Sequence, residues 1–516
     1  MNNRKIRTRI APSPTGYATV GNLRTALFNY LFAKKHGGEF LIRIEDTDET
    51  RFVDGAEKYI IDSLAWLGIK PDVGIKPDGT AEFRQSEREY RSYADLLVSN
   101  GHAYYAFDTS EELDTMKKRA DASGVKTGYN SISRMNMKNS FTMSDEEVKS
   151  KISSGDSFVI RFNTPRNKTI TFKDAVKGNV SFDSNNLDDK VLFKSSGMVA
   201  YHLANVIDDH LMEITHVIRG DEWVSSTPLH VMLYEAFGWD KPEFCHVPLV
   251  LGPDKKKLSK RKMKEYGFTV FPLACSYVDD KGNNISVPGF KDEGYEPDAL
   301  INFLALLGWN PGGTEEIMSM DRMIELFELD RINNSGAMFD VDKLKNFNAH
   351  YLRSRNPDIL LSQYILPTFK SNVIEEWKFV DKIYNESELN SIVEIAKERS
   401  VFGKDLYSTV SYFFEPVVLK DDVVLKNNEE FSKVMESLLG SDLTTKDWTA
   451  DFIKADLESF CEVFGFKMGK ILPDLRMALT GGIPGPHLPE TMEILGREES
   501  INRIKNLIKK TEKVAG

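Results

Sequence analysis

The sequence predicts a multidomain chain, α/β in its first part with an inserted α+β domain, and all-α in its last part. Three observations carry this. The chain has 516 residues, three to four times the usual domain size, which calls for two to four domains with sizeable cores. Strand and helix signals alternate up to Gly68 in the pattern of a doubly wound parallel sheet. From Pro297 onward the strand signals fade and the remainder reads as helices.

Ile6 to Ile10 is short and β-leaning, and Ala11-Pro12-Ser13-Pro14-Thr15-Gly16 cannot continue a strand. From Asn22 to His36 the apolar positions Leu23, Ala26, Leu27, Tyr30, Leu31 and Ala33 recur at helical spacing. Lys34, Lys35 and His36 suit the negative end of the helix dipole, and Gly37-Gly38 stops it. Phe40 to Ile44 is a second strand, ending in the acidic turn Glu45-Asp46-Thr47-Asp48. Ala56 to Leu67 is an amphipathic helix closed by Gly68.

Residues 108–190 change character. A polar helical piece (Ser110 to Arg119), a Gly/Ser/Asn-rich turn region (Ser123 to Ser133), a charged stretch (Ser144 to Lys151) and short alternating strands such as Phe158 to Phe162 read as a domain inserted into the first. The α/β pattern then returns. Val199 to Ile207 is mostly apolar, His216 to Ile218 is a strand ending at Arg219-Gly220, Pro228 to Phe237 is a crossover helix, and Val247 to Leu251 is a strand ending at Gly252-Pro253. Pro297-Asp298 opens an almost wholly apolar helix, Ala299 to Leu307, and breaks are expected at Pro357, Pro367, Pro416 and Pro473.

Composition sets bounds on function. An apolar fraction of 41% and a charged fraction of 28%, with 31 Phe and 18 Tyr, are those of a soluble globular protein. A net charge of −11 argues against a surface coated in basic charge for indiscriminate nucleic-acid binding. Three cysteines, at 245, 275 and 461, are too few for a disulfide framework and fit a reducing, cytoplasmic compartment. Met1 to Arg9 lacks a signal h-region, and no apolar run approaches a bilayer span, so the expectation is an untargeted protein without a membrane partner.

In a parallel α/β sheet, ligands bind at the carboxyl ends of the strands. Here the first strand ends at Arg9 and runs through Pro12 to Gly16 into a helix N-terminus, which suits an anion such as phosphate. The second strand delivers Glu45, and a later one delivers Arg219. Two guanidiniums and a carboxylate converging on one cleft suit an acidic amino acid, the arginines taking the acid groups and the glutamate the ammonium. Arg and Glu at strand ends also pair with each other or face water, and Asp46 and Asp48 read as turn residues.

Residues 255–264 hold seven basic residues of ten, directly after a strand and a Gly-Pro-Asp turn. Beside such a cleft they read as a mobile clamp for polyphosphate; an arbitrary basic run is more commonly a solvated patch. Asp208, Asp209, His210 and His216 could suggest a metal, but His210 and His216 lie in a strand-like run with no further ligand at metal spacing, so a structural role is favoured. Cys245 beside His246 has no identifiable third partner for nucleophilic chemistry, and a small buried thiol is the simpler reading. The usual glycine-rich P-loop and dinucleotide fingerprints are absent from the sequence.

Pro12 to Gly16 with Arg24-Thr25-Ala26-Leu27, then Arg43-Ile44-Glu45-Asp46-Thr47-Asp48, then Lys257-Leu258-Ser259-Lys260-Arg261, occur in that order. With Tyr201-His202-Leu203-Ala204-Asn205, Val217 to Trp223 and Leu475 to Gly481, this ordered set resembles the class I glutamyl-tRNA synthetase family over nearly the whole chain. The resemblance implies a Rossmann-type catalytic domain over 1–107 and 191–262, split by an acceptor-end-binding insertion over 108–190. A stem-contact region over 263–335 and a helical anticodon-binding half over 336–516 follow. It further implies ATP-dependent ligation of L-glutamate to tRNA(Glu) through a glutamyl-adenylate, with Mg²⁺ accompanying the ATP, in a monomer.

By matching position, the resemblance assigns the glutamate pocket to Arg9, Ala11, Ser13, Glu45, Tyr201, Asn205 and Arg219. It assigns the ATP site to Pro12, Ser13, Pro14, Thr15, Gly16, Gly21, Asn22, Lys257, Leu258, Ser259, Lys260 and Arg261, with Lys260 as the phosphate lysine. Two departures stand out. Thr19 occupies the place of the signature histidine, a catalytic position; its hydroxyl can donate one hydrogen bond but carries no charge. Loss of one such donor typically costs on the order of 10²- to 10³-fold in rate, which leaves a slower synthetase or, as the alternative, an impaired paralogue kept as a tRNA-binding protein. The residues following Tyr104-Tyr105-Ala106-Phe107 lack the cysteine cluster of some relatives, so no structural zinc is expected.

Overall fold

Arg7–Ile10 (β1) and Glu39–Ile42 (β2) pair in parallel, and the sixteen-residue helix Val20–Lys35 (α1) connects them. Leu23, Ala26, Leu27, Phe28 and Leu31 of α1 are buried, as the helical spacing requires. Polar anchors fix the helix on the sheet: the Thr8 hydroxyl donates to Asn29 O at 2.8 Å, and Asn29 Nδ2 donates to Ile218 O at 2.9 Å. At Gly38, a Cβ would stand 2.2 Å from Ile6 O, so only glycine lets β2 start this close to β1. The helix Ala56–Trp66 (α2) follows where the amphipathic pattern predicts it.

The computed structural model describes residues 4–122, 128–278, 282–367, 384–419, 428–440, 447–485 and 487–515. The chain divides into two compact units, Met1–Asp292 with Leu300–Val341, and Glu293–Ala299 with Asp342–Gly516. In the first unit, the α/β pattern gives way after the helix Arg91–Ser99 (α3). The strand Ala103–Ala106 (β3) and the helices Ser110–Ala122 (α4) and Asp145–Ser153 (α5) precede the strands Val159–Phe162 (β4), Thr169–Asp174 (β5), Gly178–Asp183 (β6) and Val191–Phe193 (β7). The strands β3, β4 and β7 form an antiparallel sheet. The charged stretch at 144–151 becomes α5 through a reciprocal cap, in which Ser144 N–H donates to Glu147 Oε2 and Glu147 N–H donates to Ser144 Oγ. Part of the glycine-rich turn region, 123–127, lies outside the described residues.

The sheet resumes with the helix Tyr201–Leu211 (α6), the strand His216–Gly220 (β8), the helix Thr227–Phe237 (α7) and the strands Glu243–Val247 (β9) and Val250–Leu251 (β10). The strand order is β6-β5-β9-β8, with β8 parallel to β9. The separate pair β1/β2 stands beside β8, where Thr215 N–H donates to Arg7 O at 3.0 Å and Arg7 N–H to Thr215 Oγ1 at 2.9 Å.

Three local expectations change. His210, read as part of a strand-like run, lies on α6, which packs by its buried Leu203, Ala204, Val206 and Ile207. The strand expected over Val247 to Leu251 divides at Pro248, which has no N–H for a ladder, and β10 pairs instead with Ala337–Met338. Pro473, expected as a break, lies inside the helix Met468–Thr480.

The second unit is helical. Val341–Ser354, Glu386–Arg399, Asn428–Gly440, Ala450–Val463, Met468–Thr480, Leu488–Leu495 and Arg497–Ala515 are its longer elements, around a core that includes Leu352, Ile392, Phe413, Phe431, Leu457, Leu475 and Met492. Among the described residues no helix is long and apolar enough to cross a membrane.

Arg24, 2% exposed, ties α1 to two loops of the first unit, donating Nη1 to Leu307 O at 3.0 Å and Nη2 to Pro248 O. Burial lowers its pKa to about 10, with Glu222 opposing. Arg24→Met leaves both carbonyls without this donor. The expected loss is about 2–4 kcal/mol in urea unfolding followed by tryptophan fluorescence; an unchanged midpoint would show that these bonds hold nothing together.

Candidate active site

A cavity of about 1080 Å³ opens at the carboxyl ends of β1, β2 and β8. It brings together most residues expected there: Arg9, Ala11, Glu45, Tyr201, Asn205 and Arg219 with Pro12, Ser13, Thr15, Thr19, Gly21 and Asn22, and Lys257, Leu258, Ser259 and Lys260. Pro14, Gly16 and Arg261 do not line it. Pro14 is buried, its carbonyl accepting from Val53 N–H at 2.9 Å, and Arg261 is exposed. Gly16 lies behind the lining, where a Cβ would meet Lys260 Nζ at 3.4 Å.

Each part of the lining follows from its element. Thr19 precedes α1, carries no charge, and is held by Asn22: Thr19 N–H donates to Asn22 Oδ1 at 2.9 Å, and the Thr19 hydroxyl donates to the same atom at 3.1 Å. The basic segment is tied down at two points. Lys257 Nζ meets Glu222 Oε1 at 2.6 Å and Lys262 Nζ meets Asp254 Oδ2 at 2.7 Å, while Leu251 bridges to Lys257. Lys260 carries no ion pair among the described residues and lies 5.7 Å from the Tyr277 ring centroid.

The charges are not arranged as a simple set of substrate ligands. Arg9 is held bidentately by Asp209, Nε to Oδ1 at 2.9 Å and Nη2 to Oδ2 at 3.0 Å. Arg43, fully buried, donates Nη1 to Asp209 Oδ1 at 2.9 Å and Nη2 to Glu45 Oε1 at 3.0 Å. Asn205 Nδ2 adds a second donor to Glu45, at 2.9 Å. Burial alone would raise the Asp209 pKa, but Arg9 and Arg43 hold it below the usual carboxylate range; for Glu45 burial prevails and raises it, against Arg43 and Asn205. Sequence reasoning missed Arg43 as a site residue, although it stands two positions before Glu45 on the same strand face. It also missed the role of Asp209, one helical turn beyond Asn205 on α6.

Arg219 is set differently. It is 5% exposed, and its donors go to neutral groups: Nε to His246 Nε2 at 3.1 Å, Nη1 to His230 Nδ1 at 3.2 Å and Nη2 to the Thr227 hydroxyl at 2.9 Å. His230 Nε2 in turn lies 3.0 Å from His202 Nδ1. Burial lowers the Arg219 pKa, opposed by Tyr201. The neighbouring Cys245 is a buried thiol whose pKa burial pushes far up, and the His246 ring turns away from it toward Asp174 at 2.6 Å. Among the described residues no group of three or more His, Cys, Asp or Glu is placed to hold a metal ion.

The cleft joins the N-terminus of α1 and the Lys257 to Lys260 loop to buried Arg9, Arg219 and Glu45 at the strand ends, an arrangement suited to an enzyme that activates an acidic amino acid. The family model for tRNA synthetases class I (E and Q), catalytic domain, matches residues 5–271 and 280–346, and that for the anticodon binding domain matches residues 361–508. The chain is 46% identical to the glutamate–tRNA ligase of Flavobacterium psychrophilum over 511 residues, covering 98% of this chain and 99% of that protein. It is 45% identical to the glutamate–tRNA ligase of Amoebophilus asiaticus, at 98% of each. The crystal structure of a glutamate tRNA ligase from Elizabethkingia meningosepticum in complex with its amino acid superposes with a TM-score of 0.85 at 41% identity, covering 98% of this chain and 99% of that one. The chain belongs to the glutamate–tRNA ligase family of class I synthetases.

The buried histidines set a pH dependence. Burial, with Lys190 and Arg219, lowers the His202 pKa to about 4, and burial with Arg219 lowers that of His230 well below its ordinary value. Unfolding returns both to the ordinary 6.5, so below that pH the unfolded chain binds more protons and stability falls as pH drops toward 4. Glu45, with its raised pKa, works in the opposite direction. The thermal midpoint is expected to fall between pH 7 and pH 5, with a shallower fall in His202→Gln; equal slopes in the two proteins would contradict this.

Proposed function

We propose that the chain ligates L-glutamate to tRNA(Glu) with ATP, in two steps through glutamyl-adenylate. The observation that carries this reading is the convergence of Arg219, Glu45 and Lys260 on one cavity. Glu45 faces the amino-acid ammonium, and Arg219 the side-chain carboxylate. The helix N-terminus after Pro12 to Gly16, with the loop Lys257 to Arg261, takes the phosphates of ATP–Mg²⁺.

In the first step, a carboxylate oxygen of glutamate attacks the α-phosphorus and the bond to the β-phosphate oxygen breaks, releasing diphosphate. No protein base is required, because that carboxylate is already ionised. Negative charge gathers on the pentacovalent phosphorus, and Lys260 stabilises it more in the transition state than in the ground state. In the second step the terminal ribose hydroxyl of tRNA attacks the acyl carbon, AMP leaves, and the hydroxyl proton is lost. Thr19 supplies a neutral hydroxyl where a histidine would donate, after releasing its bond to Asn22. Similarity to ligases over both units supports ligation over a retained tRNA-binding scaffold.

The helical unit contacts the anticodon and the insertion the acceptor end, in a cytoplasmic monomer. With a net charge of −11, the tRNA is met by local basic surfaces, of which 255–264 is the densest in sequence, with Arg503, Lys505, Lys509, Lys510 and Lys513 a lesser one. The side chain of Lys513 lies outside the described residues.

ATP–diphosphate exchange with glutamate, run with and without tRNA, tests the reading; no exchange above background in either condition contradicts it. Arg219→Ala is expected to raise the KM for glutamate by roughly 10- to 100-fold with little change for ATP. Lys260→Ala is expected to lower the activation rate by about 10²- to 10³-fold. Thr19→His distinguishes a missing donor, for which the rate rises, from a site adapted to threonine, for which it falls.

A further inference from the structure

Two of the three neutral partners of Arg219 are histidines, and each ring is fixed by a further neighbour. Asp174 ends β5, beside Phe244 of β9. Its Oδ1 accepts from Val176 N–H and Lys177 N–H, both at 2.9 Å, and its Oδ2 lies 2.6 Å from His246 Nδ1 and accepts from His246 N–H at 3.1 Å. Both residues are buried, Asp174 1% and His246 0% exposed. An ionised carboxylate only accepts, so His246 must carry its proton on Nδ1, which leaves Nε2 as a lone pair. That lone pair faces Arg219 Nε at 3.1 Å and the Thr227 hydroxyl at 3.1 Å.

The second histidine is fixed by the same logic from the other side. Arg219 Nη1 is a donor, so His230 Nδ1 is the acceptor and its proton sits on Nε2, directed at His202 Nδ1. His202 therefore also carries its proton on Nε2. Arg219 is thus held on three sides without meeting a negative charge, and among the described residues it makes no ion pair. Arg9, by contrast, has Asp209 against it.

We propose that Asp174, His246 and His230 are positioning residues that hold Arg219 by neutral acceptors, so that its charge is reserved for the side-chain carboxylate of the amino acid. The inference rests on the functional reading above, in which Arg219 binds that carboxylate. A carboxylate in the place of His246 would neutralise the guanidinium before substrate arrived, and the pocket would lose its preference for an anionic side chain over its amide. Within hydrogen-bond range of a buried arginine, only an acceptor without charge both satisfies the donor and leaves the field intact.

The arrangement makes Asp174→Asn a specific probe. The asparagine oxygen can still accept from Val176 and Lys177, but its amide then donates to His246 Nδ1, which moves the ring proton to Nε2 and turns a donor toward Arg219. The test measures ATP–diphosphate exchange with tRNA in the full-length protein, with glutamate and with ATP as the varied substrate. Asp174→Asn and His246→Ala are each expected to raise the KM for glutamate by roughly 10- to 100-fold while the KM for ATP changes by less than about threefold. His246→Gln, whose amide oxygen can accept near the Nε2 position, is expected to recover most of the loss seen in His246→Ala.

A loss shared equally between glutamate and ATP, or no recovery in His246→Gln, would assign these residues a merely structural role and overturn the inference. Ring ¹⁵N spectra of the native protein provide a readout that needs no variant to fold: the expected state is Nδ1-protonated His246 and Nε2-protonated His230, and the opposite tautomer at either ring would overturn it. Arg219→Ala separates the two levels. A raised KM there with native values in Asp174→Asn and His246→Ala removes the positioning role alone, whereas a native KM in Arg219→Ala removes the pocket reading itself.

Discussion

The structure of the pocket depends on one buried carboxylate. Asp209, 2% exposed, accepts from Arg9 on β1 and from Arg43 just beyond β2, and it stands on α6. Two guanidiniums packed into one buried site without a counter-ion would cost several kcal/mol in desolvation and repulsion. With Asp209 between them, the two strand ends and the helix are held in one geometry, and Arg43 is left with a second fork for Glu45. The ends of β1 and β2 can then present Arg9 and Glu45 side by side.

From that base the charges divide by distance from the floor. Arg9 and Arg43 are balanced by Asp209 and Glu45, so the floor is close to neutral as a group. Arg219, held by His246, His230 and Thr227, is a buried cation that lines the cavity and has no acidic partner among the described residues. Lys260 sits on the loop at the other side of the cavity, against Gly16. An amino acid with a second carboxylate satisfies this layout more fully than its amide, because the amide leaves Arg219 facing a dipole instead of an anion. In the proposed reading, selectivity for the amino acid and stabilisation of the phosphates reside in different elements, β8 for the first and the segment after β10 for the second.

Much of this was legible in the sequence, and the exceptions share a cause. The strand-helix alternation to Gly68 needs only local pattern, and α1 and α2 form where the spacing places them. Arg9, Glu45 and Arg219 were readable because a parallel sheet puts its ligands at strand ends. What they pair with was not: Arg9 and Asp209 are 200 residues apart, Arg43 and Asp209 are 166 apart, and His246 and Asp174 are 72 apart. No periodicity reports such contacts. The sequence sets His246 beside Cys245, yet adjacent strand residues point to opposite faces, which disfavours that pairing. Val247 to Leu251 and Pro473 show the local limit, since whether a proline interrupts an element depends on which backbone partner it would have needed.

The central claim is the division of charge: Glu45 for the ammonium, Arg219 for the side-chain carboxylate, and Arg9 already balanced by Asp209. A crystal structure of the protein with glutamate and a non-hydrolysable ATP analogue tests it most directly. The account expects the side-chain carboxylate within hydrogen-bond distance of Arg219 and the ammonium beside Glu45, with the Arg9–Asp209 pair intact. A side-chain carboxylate seated on Arg9 in place of Asp209, with Arg219 out of contact, would contradict it.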